Sequence, residues 1–117
     1  MAVIANTITR AGTFADAWSA AWSNLTTSDT GSPIAMVQAN DRSVQVTGTF
    51  ATATVTIQGS NDGTNWFTLN TPQGTALNFT AAGLLAIQEH VNYLRPIVTG
   101  GTAPAINVVV FMRGQYQ

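Results

Sequence analysis

The alternation between Ser43 and Ser60 limits the fold more than any other feature of this chain. Val44, Val46, Gly48 and Phe50 interleave with Ser43, Gln45, Thr47 and Thr49 at a period of two. Successive side chains of an extended strand point to opposite faces, so this segment has one apolar face and one hydroxyl-rich face. The pattern resumes after Ala51 and Thr52, with Val55 and Ile57 set against Thr54, Thr56 and Gln58. The spacing predicts a β-hairpin that reverses near Ala51 and Thr52, although its turn lacks the usual glycine or asparagine.

The rest of the chain continues in the same style. Ser60-Asn61-Asp62-Gly63-Thr64 is strong turn chemistry. A short strand from Trp66 to Asn70 ends at Thr71-Pro72-Gln73-Gly74, a type I turn by its proline and glycine positions. Leu77 and Phe79 alternate in another short strand. Between Ala81 and His90, the spacing of Leu84, Leu85 and Ile87 favours a short helical connection. Asn92 to Thr99 reads as extended, with Pro96 pointing to an edge or a bulge because it removes a ladder donor. In the last strand, Ala105 to Arg113, Ile106, Val108, Val110 and Met112 face one way while Val109 and Phe111 face the other. Such a strand is either covered on both sides or meets another subunit. Towards the amino end, Trp18, Ala20 and Trp22 share a face if extended, and Ile34 to Gln38 gives one more strand.

About eight strands at intervals of roughly 8 to 12 residues, with at most one short helical turn, predict an all-β protein. The expected architecture is a single-domain antiparallel β-sandwich, jelly-roll-like, over residues 1–117, with 1–12 as an extended N-terminal arm. A chain of 117 residues can bury a modest core without a crosslink. There is no cysteine to provide a disulfide or a thiolate.

Charge then excludes several function classes. Asp, Glu, Lys and Arg make up 8% of the chain, against roughly 25% in ordinary domains, and lysine is absent. Polarity comes instead from 18 threonines with serine, asparagine and glutamine, which suit half-solvated strands. Arg10, Arg42, Arg95 and Arg113 are scattered and the net charge is −1, so no basic footprint exists for a nucleic acid. No apolar run reaches the ~18 residues of a membrane-spanning helix.

The residues that carry chemistry do not assemble into a motif. His90 is the one histidine, and its neighbour Glu89 would point to the opposite face of a strand. Asn61, Asp62, Asp29 and Asp41 lack calcium-loop spacing. No Gly-x-Ser-x-Gly elbow accompanies His90, and Gly100-Gly101 lacks the helix and lysine of a phosphate loop. Trp18, Trp22 and Trp66 are either core residues or a stacking platform for a sugar. The reading is therefore of a protein with no catalytic, cofactor or metal residues and no small-molecule substrate.

Ser43–Phe50 and Ala53–Leu69, with Tyr93–Gly101 downstream, together resemble small structural proteins of tailed bacteriophage virions. The combination of Gln58-Gly-Ser-Asn-Asp-Gly-Thr-Asn-Trp66 with Leu94-Arg-Pro96 carries the likeness. The resemblance implies a β-sandwich that decorates or cements the capsid exterior after assembly in the host cytoplasm. Its partners would be the major capsid protein and copies of itself, as a dimer or trimer. The expected contacts are Val3, Ile4 and Ile8 in the arm and Val109 and Phe111 on the last strand. The Gly-Ser-Asn-Asp-Gly-x-x-Trp run is also similar to part of discoidin-type domains. This makes a carbohydrate-binding module the main alternative, beside a phage tail or fibre adhesion protein, although the chain lacks their cysteine pair and is shorter.

Overall fold

A computed structural model describes residues 2–10, 17–35 and 41–114. These residues form two facing β-sheets and no helix, so the chain is an all-β sandwich of jelly-roll type. In chain order the strands are β1 (Val3–Ile4), β2 (Thr7–Arg10), β3 (Ala17–Leu25), β4 (Thr30–Gly31), β5 (Ile34–Ala35) and β6 (Asp41–Thr49). They continue with β7 (Ala53–Ser60), β8 (Phe67–Thr68), β9 (Asn78–Phe79), β10 (Gly83–Ala86), β11 (Tyr93–Gly100) and β12 (Ala105–Arg113). One sheet runs β10-β6-β12-β3-β2. The other runs β1-β4-β11-β7-β8, with β5 also paired to β11 and β9 to β7. Every pairing is antiparallel except the two-residue β1–β4 contact, which is parallel.

The period-two pattern supplies the core. Val44 and Val46 of β6, Val108 and Val110 of β12, and Ala20 and Trp22 of β3 are fully buried. They meet Val55 and Ile57 of β7 and Leu94 and Val98 of β11 in one continuous cluster. Each such aliphatic side chain contributes about 1.5–3 kcal/mol on burial. Trp22 sits in this cluster with its indole N–H donating to the Ser32 carbonyl at 3.0 Å, so its one polar atom is satisfied. A bulge lets β3 bury both Trp22 and Leu25: Val108 pairs with Trp22 and Ile106 with Leu25, and the extra residues include Asn24 at φ 59°.

Three expectations are corrected. Ser43–Ser60 is not a hairpin, because β6 belongs to one sheet and β7 to the other. The chain turns at Phe50-Ala51-Thr52-Ala53, with Ala53 N–H donating to the Phe50 carbonyl at 2.8 Å, and then crosses the core. Alternation says which side chains are buried but is the same whether two strands lie beside or opposite one another, so it could not separate these cases. Ala81–His90 is not helical either. Gly83–Ala86 is an edge strand on β6, and Ile87 N–H donates to the Arg42 carbonyl at 3.1 Å. Finally, the described residues form twelve strands where about eight were expected, because β1, β4, β5, β8 and β9 contain two residues each.

Pro96 lies within the sheet and not at its edge, for a reason visible in the ladder. Ile57, opposite Pro96, directs its N–H to Leu77 and its carbonyl to Leu69, away from β11. The nitrogen of Pro96 therefore faces the β4/β5 side, where β5 pairs Tyr93 and Leu94, β4 pairs Ile97, and no partner is needed between them. Of the strand expected at Ile34–Gln38, Ile34–Ala35 forms; residues 36–38 lie outside the described residues, as do 11 and 12 of the arm.

Candidate interaction surface

The register of the five-stranded sheet places two rows of side chains on its outer face. One row is Leu84, Gln45, Val109, Ala21 and Thr7, and the next is Ala86, Ser43, Phe111, Ser19 and Thr9. Neither row contains an ionisable group. Asp41 and Arg113 face each other across β6 and β12 at the end of the sheet, joined by a 2.7 Å ion pair that cancels their charges. Both partners are well exposed, so the pair adds little to stability. Leu84 is 63% exposed and Phe111 39%, while Val109 is half-buried among short neighbours. The result is an uncharged face with an apolar centre, unusual for a surface left in water.

The outer face of the seven-stranded sheet differs. There the Arg95 Nε donates to Gln58 Oε1 at 3.0 Å, and the guanidinium lies 4.2 Å from the centre of the Trp66 ring. Partial burial lowers the Arg95 pKa from its ordinary value. This face carries a cation stacked on an aromatic ring, whereas the one cation of the first face among the described residues, Arg113, is paired with Asp41 at the end of the sheet.

The five expected contact residues are not brought together. Val109 and Phe111 share the uncharged face. Val3 is exposed on β1, at the edge of the opposite sheet, and Ile4 packs against the core while its carbonyl accepts from Ser32 N–H at 2.8 Å. Ile8 is in register with the buried Ala20, so it belongs to the inward row and overhangs the edge at 57% exposure. Of the expected arm, β1 joins the seven-stranded sheet and β2 the five-stranded one, while residues 1, 11 and 12 lie outside the described residues. Sequence reasoning missed Leu84, because Gly83-Leu84-Leu85-Ala86 has no alternation to reveal a strand.

The remaining polar groups are largely committed to holding turns. The Asp62 carboxylate accepts from the backbone N–H groups of Asn65 and Thr64, the Asn65 side-chain amide and the Ser60 hydroxyl, and these bonds hold its pKa well below the carboxylate range. Asp29 Oδ2 accepts from Thr26 N–H and hydroxyl, each at 2.8 Å, and its pKa is lowered mainly by the backbone bond. Burial works to raise Glu89, but both of its oxygens accept from Asn70, at 2.7 Å each, and the net shift is downward. A 340 Å³ depression between the Ser60–Asn65 turn and Phe67 is therefore bordered by carboxylates whose bonds run back into the protein.

His90 is exposed and lines a 370 Å³ depression with Arg42, Gln88 and Pro72. Arg42 itself is 5% exposed, and its Nε and Nη1 have no hydrogen-bond partner among the described residues. Its Nη2 donates to the Gln88 carbonyl at 3.4 Å, and burial lowers its pKa against the opposing fields of Glu89 and Asp41. Among the described residues, no three of His, Cys, Asp and Glu converge as a metal site would require. The three tryptophans do not assemble: Trp22 is in the core, Trp18 packs against it, and Trp66 is engaged with Arg95.

No protein-family model matches the chain, and no curated protein sequence matches it. Solved structures do match in fold. The chain is similar to the SPBc2 prophage-derived protein YomS, with a TM-score of 0.62 at 7% identity, covering 87% of this chain and 98% of that one. It is also similar to the cupin domain of Schizosaccharomyces pombe Cnp3, with a TM-score of 0.50 at 7% identity, covering 94% of this chain and 60% of the other. These likenesses place the chain among jelly-roll sandwiches.

Proposed function

We propose that this protein is a non-catalytic structural subunit of a phage particle, a capsid decoration or cement protein that binds the shell of major capsid protein from outside. The observation that carries the reading is the outer face of the five-stranded sheet, whose two middle rows hold no ionisable group, with Val109 and Phe111 on the central strand and Leu84 at the β10 edge. Interfaces of obligate assemblies are depleted in charge at their cores in the same way. The near absence of charge elsewhere in the sequence fits a molecule that spends its working life covered. A prophage-derived protein shares the fold.

The mechanism is linkage. A protein that binds the assembled lattice and not its free subunits stabilises the lattice by mass action, with no bond made or broken. Many weak copies on one shell add through multivalency. The test is to band particles of the source phage on a density gradient and identify the protein by mass spectrometry. Purified protein is then added back to particles stripped of it. Co-sedimentation at a fixed ratio to the capsid protein, with particles more resistant to heat, is the expected result. Absence from the particles, or a monomer that binds glycans on an array, would replace this reading with the carbohydrate-module alternative.

A further inference from the structure

We infer that the outer face of the five-stranded sheet pairs with the same face of a second copy of this chain, about a two-fold axis. This rests on the reading above of that face as an assembly surface and assigns its occupant: a second copy covers the face, and the shell is then met by the remaining surface of the pair.

Two properties of the face favour a second copy. The first is its pattern of sizes. A two-fold axis running across the strands at the level of Val110 lays the Leu84 row of one copy on the Ala86 row of the other. Leu84 then meets Ala86, Gln45 meets Ser43, Val109 meets Phe111 and Ala21 meets Ser19, a larger side chain against a smaller one in most cases. The second is charge. The same operation carries the two Asp41–Arg113 pairs to opposite ends of the contact, each against the level of Thr47 and Asn107, so no charge faces a like charge. Shape permits the pairing and area limits its strength. A right-twisted sheet is complemented by another of the same hand, aligned within about 30° and about 10 Å away. Seven residues on each of β3, β6 and β12 and four on each of β2 and β10, at about 4.8 by 3.4 Å per residue, cover about 470 Å² in projection, which makes this a small interface.

The experiment is sedimentation equilibrium on the purified chain from 1 to about 100 µM, with Phe111→Asp, Leu84→Asp and a control, Thr54→Asp, on the outer face of the other sheet. Far-ultraviolet circular dichroism and thermal melts establish that each variant is folded. The wild type and the control are expected at twice 12.3 kDa. Phe111→Asp, on the central strand, is expected to weaken the dimer about 30-fold or more, the loss typical of a central interface residue, and Leu84→Asp, on the edge strand, is expected to weaken it by less. A wild type that is monomeric at 100 µM, a trimer, or a dimer that both face variants leave intact would overturn the inference. A monomer that binds source-phage particles and loses that binding with Phe111→Asp would overturn the self-pairing while keeping the capsid reading. A face-dependent dimer absent from the particles would do the reverse.

Discussion

Replacing Gly48 by alanine is expected to lower the melting temperature far more than replacing Gly74, although both glycines hold a positive φ. Gly48, in the last turn of β6, has φ +117°, and a Cβ there would lie 2.2 Å from the Ala105 carbonyl oxygen. That oxygen belongs to the backbone of β12 and cannot rotate aside. Gly74, in the turn after Thr71, has φ +87° with nothing within 4 Å of the added carbon. The dihedral cost is about 1–3 kcal/mol at either site. Relieving the close contact at Gly48 requires β6 and β12 to part locally, at about 1–3 kcal/mol more. The gain from stiffening the unfolded chain, about 0.4–1 kcal/mol, offsets both equally and cancels in the difference. For 117 residues the unfolding entropy is about 0.25 kcal/mol/K, so each kcal/mol moves the midpoint by about 4 °C. Gly74→Ala should therefore lower it by about 2–8 °C, and Gly48→Ala by a further 4–12 °C. The assay is a circular-dichroism melt of the two variants and the wild type at one concentration. Equal shifts for the two would refute the claim that backbone contact, and not dihedral strain alone, reserves position 48 for glycine.

Trp22→Phe leaves the Ser32 carbonyl without its donor and the core short of one ring, and should cost about 2–4 kcal/mol by urea denaturation. Arg42→Met should stabilise the free protein by about 1–2 kcal/mol in the same measurement, because it removes a buried cation with two donors that have no partner among the described residues; a loss of stability would show that the guanidinium is paired. Asn-Gly in place of Ala51-Thr52 should raise the midpoint by a few degrees, since both residues hold positive φ, 48° and 69°, and a β-branched threonine is poorly suited to it. On acidification, stability should fall: Asp29, Asp62 and Glu89 all have folded-state pKa values below their ordinary 3.8, 3.8 and 4.5, so their contribution is complete above those values and is lost as pH drops beneath them. Melts between pH 6 and 2 check this, and Asp29→Asn should flatten the profile.

How much of this was legible in the sequence depended on whether the information was local. Burial at Val44, Val46, Val55 and Ile57, and the inward and outward sets of β12, follow from period two alone. The turn at Asn61-Asp62 follows from a side chain that bonds its own backbone, and the turn at Pro72-Gln73 from the fixed φ of proline and the positive φ of Gly74. The partner of each strand does not, because pairing across the core depends on contacts far apart in sequence. Thus Ser43–Ser60 looked like a hairpin and proved to span both sheets. Gly83–Ala86 has a pattern that neither helix nor strand explains, and the edge of β6 decides it. The uncharged face was visible only as Val109 and Phe111. Leu84 and Ala21 join it through registers that no spacing rule supplies.

The position of β12 also sets an order of events during synthesis. It is the last strand in sequence, yet it lies in the middle of its sheet, between β3 and β6. From the completion of Leu25 to the start of Ala105, 80 positions later, β3 waits for this neighbour; at about 5–20 residues per second that is about 4–16 s. Once Thr49 has been made, β3 and β6 both have an edge that fits this one missing strand. The five-stranded sheet therefore closes only when Ala105–Arg113 arrives between β3 and β6.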